Sequence, residues 1–203
     1  MNKTLWMAAL LSCLLLSACK APSPAPGQPD KPVIESPGEA GQPGQTDEPA
    51  ALGRLTMELV VDWDETDRVL ACLDQLSGLL SDSLLAQGYA AEEVVVTIST
   101  AGGITGSALA EGGIDAACMP AADFAAYASQ ATAVLATDEA AHVVAVTAAR
   151  DELDAAFQEA FAAALLEPEA QFLGLCYPGE AYAPITEDAL QAVRSQGEAV
   201  YGA

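Results

Sequence analysis

The stretch EVVVTISTAGGITGSALAEGGIDAACM, residues 93–119, decides the fold that the sequence predicts. It begins with a β-branched run typical of a strand and ends with a second apolar run at 114–119. Between them lies a short helical segment, opened by the glycine pair 102–103 and closed by the pair 112–113. A helix between two buried strands is the repeating unit of α/β proteins, so the stretch predicts that class.

The same alternation of apolar strands and helical segments continues on both sides of this stretch. Strand patterns lie at residues 55–62, 93–99, 114–119, 133–136 and 142–147. The spacing of apolar residues predicts helices at 70–87, 102–110, 120–127, 151–166 and 186–201. We therefore expect one α/β lobe over residues 54–203, with a mainly parallel sheet flanked by helices.

The composition is strongly acidic, with 29 acidic residues, seven basic residues and a formal net charge of -22 at pH 7. Such a surface repels nucleic acid and anionic lipid headgroups, so we expect no nucleic-acid partner and no attachment to a membrane by charge. Apolar residues make up 52% of the chain, which is far more than a disordered acidic chain contains. The composition therefore favours a folded, helix-rich globule.

The N-terminus has the pattern of a secretory signal. Lys3 supplies a positive charge, and residues 5–16 form an apolar run that is too short to span a membrane. Leu16-Ser17-Ala18-Cys19 resembles the lipobox of bacterial lipoproteins. That resemblance implies removal of residues 1–18 and a lipid on Cys19 that holds the protein on the extracytoplasmic face of the cell membrane. An ordinary signal peptide followed by a chance cysteine is the alternative.

Residues 19–53 are predicted to be a tether between the lipid and the globule. Eight of the twelve prolines lie there, among Gly, Gln, Ser and acidic residues. This segment has too little apolar surface to offset the entropy of ordering. Its prolines favour an extended spacer that keeps the globule away from the membrane.

The remaining cysteines, Cys72, Cys118 and Cys176, are odd in number and widely spaced. They form no paired motif, and the chain has one histidine, so the sequence predicts no zinc site. A disulfide between two of them is one alternative in an oxidising compartment. Free, buried thiols are favoured, because the cysteines lie in helix and strand patterns where cysteine acts as a small apolar residue.

No residue pattern indicates an enzyme, a metal site or a cofactor. Asp62, Asp64 and Asp67 do not have the spacing of a calcium loop. His142 has no serine, cysteine or paired carboxylates in a catalytic pattern around it, and a hydrogen-bonded histidine at a strand edge is the preferred interpretation.

Two segments of the predicted lobe resemble a known family. Ala108-Leu-Ala-Glu-Gly-Gly-Ile-Asp-Ala-Ala117, continuing to Ala122-Asp-Phe124, resembles a segment of the substrate-binding proteins of phosphonate-type ABC transporters. Tyr182-Ala-Pro-Ile-Thr-Glu-Asp188 resembles that family's last loop and helix. The resemblance implies a type II periplasmic-binding-protein-like fold, a small oxyanion such as phosphonate or phosphate as ligand, and an ABC permease as partner. Only residues 137–141 lie where the family inserts its second lobe, so this chain corresponds to one lobe.

The residues predicted to bind a ligand follow strands at one edge of the sheet, where ligands bind in open α/β folds. Backbone N–H groups at the start of a helix, with hydroxyl groups beside them, can hold an anion. A plain tight turn with a hydroxyl cap is the alternative at this position. The resemblance adds the residue that aligns with a family aromatic, Phe124. The full predicted set is Trp63, Ser99, Thr100, Gly102, Gly103 and Phe124.

Two functions remain open from the sequence. The first is a lipid-anchored solute-binding protein of an ABC uptake system. The second is a single-lobe lipoprotein that has lost its ligand and acts as an interaction module. The second function predicts an apolar patch where the other lobe would have docked.

Overall fold

The computed structural model describes residues 48–137, 139–168 and 172–201. The predicted signal peptide, the lipidation site Cys19 and nearly all of the predicted tether lie outside the described residues. The strands are β1 (Ala50–Val60), β2 (Tyr89–Ser99), β3 (Ala116–Pro120), β4 (Ala131–Thr137), β5 (His142–Thr147) and β6 (Tyr182–Pro184). The α-helices are α1 (Thr66–Leu70), α2 (Leu73–Ala86), α3 (Gly102–Ala110), α4 (Ala121–Ala125), α5 (Ala155–Leu166), α6 (Phe172–Cys176) and α7 (Glu187–Tyr201). A 3₁₀ turn, Trp63–Glu65, precedes α1.

The six strands form one mixed sheet in the order β2-β1-β3-β5-β4-β6. β1 pairs parallel to both β2 and β3, whereas β5 is antiparallel to β3 and β4, and β6 is antiparallel to β4. Four strands thus run in one direction, and the predicted α/β class is confirmed. β5 reverses direction because only four residues separate it from β4, and such a short connection allows only antiparallel pairing.

Several predicted boundaries differ from the structure, and two of the differences change the organisation of the lobe. β1 begins at Ala50, where it pairs with Tyr89 of β2, so residues 50–53 belong to the sheet and not to the tether. The predicted helix 70–87 corresponds to α2, which begins at Leu73, and the sequence missed the separate helix α1 that precedes it across a sharp break. The sequence did not predict α6 and β6, because each element is too short to show a periodic spacing of apolar residues.

Helices cover both faces of the sheet. On one face α2, α5 and α6 pack on alternate β1 residues such as Leu55 and Met57, and the rings of Phe157 and Phe161 stack 5.6 Å apart. On the other face α3, α4 and α7 pack on β3 and β5 through a second cluster that contains Leu109 and Val193. Strands with both sides buried explain the nearly continuous apolar runs of β3 and β5.

A buried carboxylate ties the sheet to the connection that follows β5. Asp115 Oδ2 accepts hydrogen bonds from Thr56 N at 2.7 Å and from Thr56 Oγ1 at 2.9 Å, which joins β1 to the start of β3. Asp115 Oδ1 accepts a hydrogen bond from Arg150 Nη1 at 2.7 Å. The three bonds satisfy a carboxylate that is almost fully removed from water.

Among the described residues no single helix is long and apolar enough to cross a membrane. The segments Trp63–Leu70 and Leu73–Ala86 reach that length only in combination, across a 68° bend.

Candidate functional site

The candidate site is the carboxyl edge of the sheet, which we define as the edge where β1, β2 and β3 end and β5 begins. Val60 pairs with Ser99, and Pro120 pairs with His142, so four strand ends lie side by side. In open α/β sheets this edge is where ligands collect.

The structure brings together four of the six predicted ligand residues. Ser99 Oγ accepts a hydrogen bond from Ala101 N at 3.1 Å, which forms the tight turn between β2 and α3. Thr100 and Gly103 are both exposed beside this turn, and Gly102 is the first residue of α3. The turn geometry therefore agrees with the alternative of a tight turn, and anion binding there stays a prediction.

A carboxylate of the protein already lies at the start of α3. A Cβ atom placed on Gly102 would be 2.0 Å from Asp123 Oδ2, so any other residue at this position would force the carboxylate to move. The negative charge of Asp123 suits the positive end of the α3 dipole. The same charge repels an incoming oxyanion, which weakens the case for an anion site here.

Two large apolar side chains are exposed at the carboxyl edge. Trp63, in the turn that follows β1, is 82% exposed, and Ile104, in the first turn of α3, is 71% exposed. They follow the neighbouring strands β1 and β2, which end side by side at the carboxyl edge. We call Trp63 and Ile104 the edge patch. The sequence singled out Trp63 and missed Ile104, which looks like an ordinary core residue in a short apolar helix.

Phe124 does not lie at the carboxyl edge with the other predicted residues. Its ring is 1% exposed and packs in the second core cluster. Successive residues of a helix point about 100° apart, so Asp123 faces Gly102 while the next side chain turns into the core. The predicted contact between this ring and a ligand at the edge is therefore not available in this structure.

A cavity of about 230 Å³ opens at the carboxyl edge beside the edge patch. We call it the edge cavity. Its walls come from the ends of β1 and β3, the start of β5, the segment before α2 and the loop after α6. The lining residues are Val60, Val61, Asp62, Glu65, Arg68, Pro120, His142, Cys176, Tyr177, Pro178 and Glu180.

Arg68 is held firmly by its neighbours in the wall of the edge cavity. Its Nε donates to Glu65 Oε2 at 2.6 Å, and Nη2 also contacts this carboxylate. Nη1 and Nη2 donate to the backbone oxygens of Leu175 and Cys176, which fixes α6 to α1. The guanidinium charge is thus balanced by Glu65, and its donors serve the fold.

His142 and Glu180 face each other in the edge cavity. Nδ1 of His142 is buried and lies 3.0 Å from Glu180 Oε1, at an angle that is not that of a hydrogen bond. The expectation of a hydrogen-bonded strand-edge histidine is therefore wrong at this nitrogen. The other oxygen, Glu180 Oε2, accepts a hydrogen bond from the Tyr182 hydroxyl at 2.9 Å.

The hydroxyl and thiol groups behind this pair are buried and neutral. The Tyr177 hydroxyl donates to the backbone oxygen of Val60 at 2.9 Å, and burial raises its pKa well above the usual value. Burial also raises the pKa of the Cys118 thiol to about 12. A thiol with that pKa is not a nucleophile at neutral pH.

The described residues contain no group of three His, Cys, Asp or Glu side chains that could hold a metal ion. Cys72, Cys118 and Cys176 are unpaired, and the last two are buried as the sequence predicted.

The sequence matches no protein-family model and no curated protein. Its fold is similar to a solved structure, XAC2383 from Xanthomonas citri bound to chloride ion, with a TM-score of 0.56 and 9% sequence identity. The similarity covers 73% of this chain and 99% of that chain. At this identity the likeness concerns the fold alone.

Proposed function

We propose that this protein is a lipid-anchored, extracytoplasmic interaction module whose carboxyl edge binds a protein partner. The observation that carries the proposal is the edge patch, Trp63 and Ile104, which exposes two large apolar side chains on one edge of the sheet. Exposed apolar groups that cluster on a folded domain mark interaction surfaces. Tryptophan is also the residue type most enriched among the side chains that dominate binding energy.

The charge of the edge supports a protein partner over a small oxyanion. Asp123 lies at the start of α3, and Asp62, Glu65 and Glu180 line the edge cavity. A single arginine is present in the cavity lining, and it is already paired with Glu65. An oxyanion would therefore meet repulsion, whereas an apolar or basic protein surface would not.

The predicted lipid on Cys19 completes this proposal. It would hold the module at the extracytoplasmic face of the cell membrane, with residues 20–49 as spacer. Partners in that compartment include membrane proteins with extracytoplasmic parts. The strong negative charge of the chain argues against nucleic acid as a partner.

Co-purification from cell envelopes tests the proposal. The double variant Trp63→Ala/Ile104→Ser should lose proteins that co-purify with the unchanged chain, because it removes the apolar contact area. Leu85→Ser is the matched control, since Leu85 is 53% exposed at the far end of α2. Equal retention by both variants would contradict binding through the carboxyl edge.

The second candidate is a solute-binding protein that delivers a small oxyanion to an ABC permease. The start of α3 favours it, because this helix begins directly after β2 at the carboxyl edge, and backbone N–H groups at such a helix start can hold an anion. Calorimetric titration with phosphate, phosphite and alkylphosphonates tests it. Saturable heat that Gly103→Asp abolishes would support this candidate, and the absence of heat would leave the interaction module.

A further inference from the structure

We propose that the edge cavity is a binding site for a small organic cation, an ammonium or guanidinium group carried on a short alkyl chain. The proposal goes beyond the proposed function, because the cavity is lined by a set of residues that does not include Trp63 or Ile104. It also names a ligand class opposite in charge to the oxyanion that the sequence predicted.

Two carboxylates in the cavity lining, Asp62 and Glu180, have no arginine or lysine partner among the described residues. Glu65 and Arg68 neutralise each other. The Asp62 carboxylate accepts no helix-capping hydrogen bond, and no ion pair involves it within the described part of the chain. Glu180 contacts the neutral Tyr182 hydroxyl and the His142 ring, and no arginine or lysine of the described residues pairs with it. The lining therefore carries a net negative charge that a bound cation would balance.

The polar atoms of the two carboxylates match the donors of such a cation. An ammonium group has three N–H donors and a guanidinium group has five, and neither accepts hydrogen bonds. Asp62 comes from the end of β1, and Glu180 comes from the loop after α6, so they lie in different walls of the cavity. Carboxylates in separate walls can bind one cation between them with charge-assisted hydrogen bonds.

The remaining walls suit the alkyl part of the ligand. Val60, Val61, Pro120 and Pro178 supply aliphatic surface, and the ring of Tyr177 lies beside that of His142 at 5.5 Å. The Tyr177 hydroxyl is fixed on the backbone of β1, so the ring is held in place as a wall. Aromatic faces attract cations, which adds to the attraction of the carboxylates. A cavity of about 230 Å³ limits the ligand to a small molecule.

Calorimetric titration of the mature chain with agmatine and putrescine tests the proposal, with 1-butanol and phosphate as neutral and anionic probes. We expect saturable binding of at least one cation and none of the other two probes. Asp62→Asn and Glu180→Gln should each weaken the binding about tenfold, because each removes a charge-assisted hydrogen bond. Asp64→Asn is the matched control, since Asp64 lies two residues from Asp62 and does not line the cavity.

Each outcome decides the proposal. A tenfold loss in the two cavity variants with the control unchanged would support it. An equal, small loss in all three variants would mean that the cations respond only to the overall negative charge, and would overturn it. Absence of saturable heat with both cations would also overturn it. Envelope co-purification that depends on Trp63 but persists in Asp62→Asn and Glu180→Gln separates this site from the proposed function.

Discussion

At the start of α3, the carboxylate of Asp123 occupies the space that a side chain on residue 102 would need. The missing side chain of Gly102 leaves room for Asp123 Oδ2, which would otherwise be 2.0 Å from a Cβ atom. The glycine that resembles part of an anion loop therefore serves an internal contact between α3 and α4. At the scale of the residue, this contact places a negative charge where the sequence predicted an oxyanion site, and that charge would repel an oxyanion.

The Gly102 and Asp123 contact predicts unequal effects for two neighbouring glycines. Gly102→Ala should lower the free energy of unfolding by about 1–3 kcal/mol, because the new methyl group forces Asp123 to move. Gly103→Ala has no heavy atom within 4 Å of its Cβ position and should be neutral or slightly stabilising. Urea denaturation of both variants measures the difference, and equal stabilities would contradict the described contact.

The cysteines predict an order of thiol reactivity. Cys118 and Cys176 are buried, and burial raises the pKa of both thiols, whereas Cys72 is only half-buried. In the mature chain with Cys19→Ala, a thiol reagent should modify Cys72 first and the other two only after unfolding. Mass spectrometry of the modified peptides checks this order. Early modification of Cys118 in the folded protein would contradict its buried position.

At the scale of the element, the strands and helices differ in how well the sequence predicted them. β5 was predicted with its observed ends, because a continuous apolar run of six residues is bounded by polar ones. α2 and α3 were also placed close to their observed positions. The break between α1 and α2 was missed, because the leucine spacing continues across it while the two segments bend by 68°.

The ligand site was less predictable than the elements, for a physical reason. Strand ends identify the carboxyl edge, so the sequence predicted that Trp63, Ser99 and Gly102 lie at this edge, as they do in the structure. The edge cavity, however, depends on Tyr177 and Glu180 from a loop far along the chain. No local sequence pattern predicts a contact between β1 and a residue more than a hundred positions later in the chain.

The ion pairs that link different elements predict which substitutions lower the stability of the lobe most. Asp115→Asn should lower the free energy of unfolding by about 3 kcal/mol, because it breaks a buried pair with Arg150 that also holds Thr56. Glu93→Gln breaks the exposed pair with Arg54 and should change little, since water screens exposed pairs. Chemical denaturation compares the two variants. If both variants lowered the free energy of unfolding equally, the buried pair would contribute no more to stability than the exposed pair, which would contradict the prediction.

At the scale of the whole molecule, one sheet with helices on both faces forms a complete α/β lobe. Helices cover both faces of the sheet, so the sheet itself meets solvent at its edges. The carboxyl edge carries both the exposed side chains of Trp63 and Ile104 and the edge cavity with its acidic lining. A module held at a membrane by one lipid would present such an edge to neighbouring proteins.

The proposed lipid on Cys19 gives a prediction at this scale. Cys19→Ala should move the protein from the membrane fraction to the soluble fraction, because it removes the thiol that would carry the lipid. Cys72→Ala is the control and should leave the protein with the membranes. Fractionation followed by immunoblotting measures both. Membrane association that survives Cys19→Ala would exclude the lipid as the attachment.

Site-specific photo-crosslinking in intact cells tests most directly whether the carboxyl edge binds a protein. A photoreactive residue is placed at Trp63, at Ile104 and, as a control on α2, at Leu85, which is also exposed. The interaction module predicts the same cross-linked partner from positions 63 and 104 and none from position 85. Cross-linking that is equal at all three positions, or confined to position 85, would contradict binding through this edge.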